Sequence, residues 1–225
     1  KIKDKSIDMI LCDLPYGTTA CKWDTPLPLD KLWIEYKRVI KDNGAIVLTA
    51  SQPFTSKLVM SNPKMFKYSW VWDKKAASTA LLAKYQPLKK HEDVLVFYKK
   101  FGLYNPQKID CKRRLEKKIN SSNGEAFGGD KKTRFFDNKG KCYPKSIIEI
   151  SNANHKGRLH PTQKPVALFE YLIKTYTNKN DLVLDNCAGS GTTDIACMNL
   201  NRNCIMIEKE PKYCEIIKKR MNCYE

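Results

Sequence analysis

The sequence predicts an α/β fold, with helices on both faces of a mostly parallel sheet and a smaller region inserted into it. Three features predict it. Short, nearly continuous apolar runs at 7–12, 45–49 and 182–184 have the length of strands covered on both faces. Segments 29–40 and 166–176 carry apolar residues at helical spacing. The runs at 7–12 and 182–184 each close on an aspartate that opens a tight turn.

Taken in order, the first strand ends at Asp13, before a Pro-Tyr-Gly turn. The helix over 29–40 presents Leu29, Leu32, Trp33, Tyr36, Val39 and Ile40 on one face and is expected to stop before Asn43-Gly44. A strand at 45–49 follows, then strands at 68–72 and 93–98, separated by an Ala-, Leu- and Lys-containing stretch read as partly helical. From about 100 to 156, Gly124, Gly128, Gly129 and Gly140 break periodicity while lysines and arginines accumulate. Order returns with a helix at 166–176, a strand at 182–185, a helix at 192–200, a strand at 203–208 and a helix from Pro211 to about 221. The chain therefore divides into 1–99 and 157–225, two halves of one core, around an insertion at 100–156. It contains no internal repeat and no low-complexity segment.

With 225 residues, the chain suits one core plus a small lobe. Forty-one Lys and Arg against 24 Asp and Glu give a net charge of +17, a field that favours a polyanion; nucleic acid is the first partner to consider. Nine cysteines are an odd number, and Cys12, Cys187, Cys197 and Cys204 lie in apolar runs that read as core, so reduced thiols are expected. No CxxC pair occurs and His91, His155 and His160 lie far from any cysteine pair, so no metal site is expected. The absence of an apolar run of about 18 residues or a signal-like start leads to the expectation of no membrane partner and a cytoplasmic address.

The strand at 182–185 feeds Asp185-Asn186-Cys187-Ala188-Gly189-Ser190-Gly191-Thr192-Thr193 and then a helix. Such a turn lies at the carboxyl end of a parallel strand, where open α/β sheets bind ligands. Gly189-x-Gly191 lacks the third glycine of a full dinucleotide fingerprint, and a plain tight turn satisfies it equally. Glu208, about 20 residues on, adds a carboxylate suited to both ribose hydroxyls of an adenosine moiety; a surface glutamate is the alternative. No Gly-Lys-Ser/Thr follows, which excludes a P-loop.

Asp13-Leu14-Pro15-Tyr16 contains the parts needed to act on an exocyclic amine whose lone pair is delocalised into an aromatic ring. Asp13 and the Leu14 carbonyl offer two acceptors for the amine hydrogens. Pro15 restricts Leu14 to extended backbone, Tyr16 supplies a stacking face for an extruded base, and Gly17 lets the chain leave tightly. An ordinary strand-ending turn fits the same residues.

With these motifs in this order, the chain resembles the β-group of DNA amino-methyltransferases, whose members place a D-P-P-Y motif first, then a target-recognition region, then an F-x-G-x-G cofactor motif. His160-Pro161-Thr162-Gln163-Lys164-Pro165 matches the H-P-T-Q-K-P segment that precedes the cofactor strand in that family. The resemblance covers nearly the whole chain. It implies a Rossmann-like class I methyltransferase sheet in circularly permuted motif order, with S-adenosylmethionine as cofactor and double-stranded DNA as partner. It is compatible with a homodimer and with a paired restriction endonuclease. Asp13, Leu14, Pro15 and Tyr16 are then the catalytic turn, and His160, Thr162, Gln163, Lys164, Pro165, the run from Asp185 to Thr193 and Glu208 the cofactor site. On the residues alone, Lys164 is placed to meet a carboxylate such as that of the cofactor's methionine end.

Two departures stand out. Leu14 replaces the usual second proline, at a position that contributes a carbonyl, and Asn186-Cys187 replaces Pro-Phe before the glycine turn. Family members also carry upstream of this first strand a short acidic segment for the cofactor's adenine, which is not among these 225 residues. An aspartate at the first motif position is associated with adenine N6, which is the expected target. The alternatives are cytosine N4, RNA, a protein glutamine, or a silent DNA-binding module of the same fold.

Further candidates complete the reading. Trp70 to Lys74 and His91-Glu92-Asp93 resemble the flanks of the target-base pocket, with core packing as the competing explanation. Gln52-Pro53-Phe54 is a pocket-lining candidate, and His155 a surface or DNA-facing residue. In the insertion, Lys112, Arg113, Arg114, Lys131, Lys132 and Arg134 are candidate DNA contacts, with Asn120 and Asn123 able to reach base edges. A solvated loop is the alternative there.

Overall fold

The structure is a computed structural model and describes residues 1–19, 21, 24–78, 80–119, 133–152 and 163–222. It divides into two compact units, Lys1–Asn105 with Ser146–Glu225, and Pro106–Lys145.

In the larger unit the chain runs β1 (Ile7–Asp13), α1 (Leu29–Val39), β2 (Ile40–Ala50), α2 (Phe54–Ser61), β3 (Phe66–Ser78), a 3-10 turn (Ala80–Leu82) and β4 (Lys89–Phe97). The smaller unit carries β5 (Ile109–Asp110), β6 (Leu115–Ile119), β7 (Thr133–Asp137) and β8 (Lys141–Cys142). The chain then returns through β9 (Ile147–Glu149), α3 (Val166–Tyr176), β10 (Leu182–Asp185), α4 (Thr192–Asn199), β11 (Asn203–Met206) and α5 (Pro211–Asn222).

Seven strands form one sheet in the order β11-β10-β1-β2-β4-β3-β9. β4 alone runs against its neighbours, and the other pairings are parallel. Alternate residues of β1 feed opposite faces. Ile10 and Cys12 join a core with Trp33, Tyr36 and Val39 of α1 and Phe54 and Leu58 of α2. Met9 and Leu11 join another with Leu168, Phe169, Leu172 and Ile173 of α3 and Ala196 and Cys197 of α4. Helices thus cover both faces, the expected α/β arrangement.

The order of strands places the site. From β1 the chain steps outward through α1 to β2, and from β10 it steps the other way through α4 to β11. β1 and β10 are adjacent and parallel, so the strand order reverses between their carboxyl ends, the crevice where sheets of this kind bind ligands.

Four details differ from the sequence reading. The helix expected over 29–40 ends at Val39, within a residue of its expected end, but β2 begins at Ile40, five residues before the expected start. The pairing shifts between Ile7↔Ile40 and Met9↔Ala45, which accommodates Asn43-Gly44 as an irregularity inside the strand. A side chain at Gly44 would stand 2.8 Å from the Asp8 carbonyl, so this glycine permits strand packing and does not cap a helix. The compact insertion is narrower than 100–156. Asn105 N–H donates to the Thr175 carbonyl at 2.8 Å, and β9 pairs with Val71 to Asp73 at the sheet edge, drawing both flanks into the core.

The third and fourth differences concern the cysteines and the order of the smaller unit. Cys111 and Cys142 form a disulfide, with Cα atoms 5.9 Å apart across the β5–β8 ladder, where all thiols were expected to be reduced. The predicted core thiols Cys12, Cys187, Cys197 and Cys204 are free. The described part of this unit is folded: Asn138 ties the ends of β6 and β7 through Arg114 N–H at 2.8 Å and the Lys112 carbonyl at 3.0 Å.

Candidate active site

Asp13 is the last residue of β1 and faces Thr49 across the β1–β2 ladder. Its Oδ1 accepts from the Tyr16 hydroxyl at 2.9 Å and from the Thr49 hydroxyl. Oδ2 accepts from Lys164 Nζ at 2.8 Å. Leu14, 3% exposed, buries its side chain in the α1-side core, leaving only main chain to the turn. The Tyr16 ring stacks on Phe54, with centroids 5.3 Å apart and planes at 21°. Gln52-Pro53-Phe54, a pocket-lining candidate, is not part of the wall of the cavity beside this turn; Phe54 instead backs Tyr16.

The loop leaving this turn is fastened by Asp24, which accepts N–H bonds from Gly17, Thr18 and Thr19 at 2.7–2.9 Å. Burial opposes its charge, but these donors hold its carboxyl below the usual range. Gly17 is required on two grounds: its φ is +71°, and a side chain there would stand 2.5 Å from Pro26.

A second carboxylate completes the charge balance. Glu92 of β4 lies with Oε2 3.3 Å from Lys164 Nζ and Oε1 3.3 Å from Lys74 Nζ. Lys74 and Lys164 are both buried, at 6% and 8% exposure. Burial disfavours the Lys164 ammonium, yet the charges of Asp13 and Glu92 hold its pKa above the ordinary value. Burial also raises the Tyr16 hydroxyl, followed by the charges of Asp13 and Glu92, so it stays protonated and donates to Asp13. Lys164, expected near the cofactor's carboxylate, directs its ammonium at Asp13 instead; only its carbonyl, accepting from Thr192 at 3.4 Å, meets the glycine turn.

The β10 turn uses other means. Asp185, 2% exposed, accepts from the Cys187 N–H at 3.0 Å and from the Thr193 hydroxyl. Burial raises its pKa to about 6, against the pull of those donors. Gly189 and Gly191 both have positive φ, and Gly191 caps α4 in a left-handed conformation. Glu208, two residues beyond β11, accepts from the Gly189 N–H at 2.7 Å and the Glu210 N–H at 2.8 Å. Tyr36 donates to Asn186 Oδ1 at 2.6 Å, which fixes Asn186 where the family motif has proline.

Both turns open into one cavity of about 1150 Å³. Its wall includes Asp13 to Tyr16 on one side, Asp185 to Ser190 with Thr192 and Glu208 on the other, and Gln163 and Lys164 between them. Pro165, Gly191 and Thr193 are not part of this wall. His160 and Thr162 lie outside the described residues, as do His155, Asn120, Asn123, Lys131 and Lys132, and likewise the side chain of Arg134. In the smaller unit Lys112 and Arg114 are exposed, whereas Arg113 is engaged by Asp137 through contacts of 2.7 and 3.2 Å.

Trp70 and Trp72 are buried, their indole N–H groups donating to the Tyr176 hydroxyl and the Ile150 carbonyl, both at 2.8 Å, and Trp72 also lines the cavity together with Lys74 and Glu92. His91 is exposed. The residues that sequence reasoning did not assign are Thr49 and Asp24, and Lys74 and Glu92 were noticed only as flanks. Thr49 could have been found by pairing the carboxyl ends of neighbouring strands. Lys74 and Glu92 depend on the position of β4 in the sheet.

Among the described residues no helix is long and apolar enough to cross a membrane and no group of side chains could hold a metal ion. The Type II methyltransferase M.HpaI of Haemophilus parainfluenzae is 29% identical over 235 residues, 98% of this chain and 70% of that protein. The solved M1.HpyAVI–SAM complex is 29% identical with a TM-score of 0.64, covering 96% of this chain and 89% of its own. The cytosine-N4-specific PvuII DNA methyltransferase shares the fold at a TM-score of 0.68 with 15% identity, over 98% of this chain and 81% of that one. The DNA methylase family model matches residues 7–219, from the first strand through both turns into the last helix, and this chain belongs to that family.

Proposed function

We propose that this chain is an S-adenosylmethionine-dependent DNA methyltransferase that acts on the N6 amine of an adenine flipped out of the duplex. One observation carries the reading. An amine-holding turn and a nucleoside-holding turn stand on either side of the strand-order reversal and share one cavity.

The residues present suit the cofactor. Glu208 reaches the cavity beside the Gly189 N–H, the place for a ribose diol, and the left-handed glycines let backbone approach a ligand closely. S-adenosylmethionine, when bound, would supply the electrophilic methyl to the amine nitrogen and leave as S-adenosylhomocysteine, with one amine proton passing to solvent. Asp13 and the Leu14 carbonyl accept the amine hydrogens and turn the nitrogen lone pair out of the ring plane. Tyr16, braced by Phe54, stacks on the base. No enzyme nucleophile is needed, which agrees with Cys12, buried and pushed up by desolvation, being unreactive.

The smaller unit is the DNA-reading element in this reading. It holds twelve Lys and Arg against five Asp and Glu, and a basic surface binds the phosphate backbone. Lys112 and Arg114 are its exposed phosphate contacts, while Arg113 is first released from Asp137. Adenine follows from the aspartate at the head of the turn.

The test is product analysis. Unmethylated duplex DNA is incubated with the protein and S-adenosylmethionine, digested to nucleosides, and examined by mass spectrometry. N6-methyladenine is expected. N4-methylcytosine would overturn the choice of base, and no modified base would leave a DNA-binding module. Asp13→Ala should abolish transfer while retaining DNA binding.

A further inference from the structure

The Lys164 ammonium occupies the place that the target amine needs. It donates to Asp13 Oδ2 at 2.8 Å and lies 5.4 Å from the centroid of the Tyr16 ring, so it sits on the oxygen and over the face that a seated base would use. The other oxygen of Asp13 is already engaged by two hydroxyls, those of Tyr16 and Thr49. Oδ2 has a further lone pair, but the ammonium stands over the ring face that a base would stack on, so seating the amine against Asp13 displaces Lys164. A buried ammonium released without a partner is strongly disfavoured, as is any buried ion pair broken from one side.

Glu92 meets this need. Its Oε2 is buried and makes no hydrogen bond, yet lies 3.3 Å from Lys164 Nζ, within ion-pair reach but not aligned. Its other oxygen faces Lys74, so the carboxylate is anchored from behind. We infer that Lys164 has two seats, Asp13 Oδ2 in the free enzyme and Glu92 Oε2 once the target amine is bound, which makes Glu92 a positioning residue for methyl transfer. The exchange moves one hydrogen bond by a fraction of the side chain's length and keeps the four-charge cluster neutral. It also keeps Asp13 paired until a base arrives, so the free enzyme holds no bare carboxylate in a desolvated pocket. This inference rests on Asp13 being the amine acceptor.

The experiment is a double-mutant cycle between Glu92→Gln and Lys164→Met, read as single-turnover methylation at saturating DNA and S-adenosylmethionine. With only the first seat left, Glu92→Gln should lower the transfer rate about tenfold or more, while the dissociation constants for duplex and cofactor change by less than about threefold. In the Lys164→Met background the same change should have no further effect, because there is no ammonium to reseat. A transfer rate for Glu92→Gln equal to that of the unmodified enzyme overturns the inference. So does an equal loss in both backgrounds, which would mean that Glu92 acts without Lys164. If Glu92→Gln does not fold, Glu92→Asp keeps the charge and withdraws the oxygen from Lys164; a rate loss supports the second seat, and an unchanged rate overturns it. Loss of activity in Asp13→Ala together with an unaffected Glu92→Gln sinks this inference alone, whereas full activity in Asp13→Ala sinks the reading beneath it.

Discussion

The turns after β1 and β10 occupy equivalent positions, side by side at the carboxyl edge of the sheet, but are built by opposite means. The β1 turn presents charge, and its partners come from afar: Thr49 on β2, Glu92 on β4, and Lys164 just before α3. The β10 turn presents main-chain N–H groups, and its carboxylates find partners near in sequence, Thr193 eight residues from Asp185 and Glu208 nineteen from Gly189, with Tyr36 on Asn186 the distant exception. A site that must grip a reacting amine needs oriented charge, which only a desolvated cluster from several strands can hold still. A site that must receive a sugar and its substituents can be made from a glycine turn and one acid. The teaching of the pair is that damage to the first should appear in the rate of transfer, and damage to the second in cofactor affinity and stability.

The sharpest break is Asp13→Ala. It removes the proposed acceptor of the amine and leaves Lys164 with Glu92 alone, so transfer should fall by about a thousandfold or more, roughly 4 kcal/mol, with cofactor binding within a few-fold of the unmodified enzyme. Single-turnover kinetics beside equilibrium cofactor titration measure both. An equal loss in affinity and rate would erase the contrast between the turns.

Next in size is the pH dependence contributed by Asp185. Its folded-state pKa is about 6 against 3.8 in an open chain, so the folded protein binds this proton more tightly. Its contribution to stability is full below about pH 4 and is lost as pH rises through 6, by about 3 kcal/mol. Urea unfolding of the protein and of Asp185→Asn at several pH values between 4 and 7 isolates the effect. The stability difference between the two should shift toward Asp185→Asn as pH rises, and a flat difference would place Asp185 in wetter surroundings than its 2% exposure indicates.

The same contrast explains what could be read from the sequence. β1, α3 and β10 match the expected 7–13, 166–176 and 182–185 because each is bounded by a turn that its own residues encode. Asp13, Tyr16, Gly189, Gly191 and Glu208 were legible for the same reason. The Lys164–Glu92 contact was not, because it joins residues 72 apart and exists only once β4 has entered the sheet antiparallel beside β2. β9 is three residues long, too short for periodicity to mark, and its pairing with β3 trims the expected insertion. The Cys111–Cys142 bond likewise depends on the β5–β8 pairing, two residues on each side. Local turn chemistry was readable, and contacts set by strand order were not.

Glu208→Gln tests the nucleoside side directly. The amide keeps one acceptor and can still cap Gly189, but it offers a ribose diol a weaker partner than a carboxylate does. Cofactor affinity should fall about tenfold to thirtyfold, roughly 1.5–2 kcal/mol, with the transfer rate at saturation close to unchanged. A fall in rate at saturating cofactor would show that the two turns are coupled and are not separate devices.

The smallest effect is expected at Gly191, where the β10 turn relies on backbone alone. An alanine there must adopt φ near +77° and would bring its Cβ to 3.1 Å from Ile217 Cγ1 of α5. The left-handed conformation costs a non-glycine residue about 1 kcal/mol, and Ile217, 8% exposed, has little room to withdraw. Gly191→Ala should therefore lower the melting temperature by about 2–4 °C in a chain of this size. Pairing it with Ile217→Val separates the two causes. If the contact contributes, trimming the branch should return part of the loss, whereas a loss that persists unchanged belongs to the backbone angle, and no loss at all would mean the turn can close without a left-handed residue at this cap.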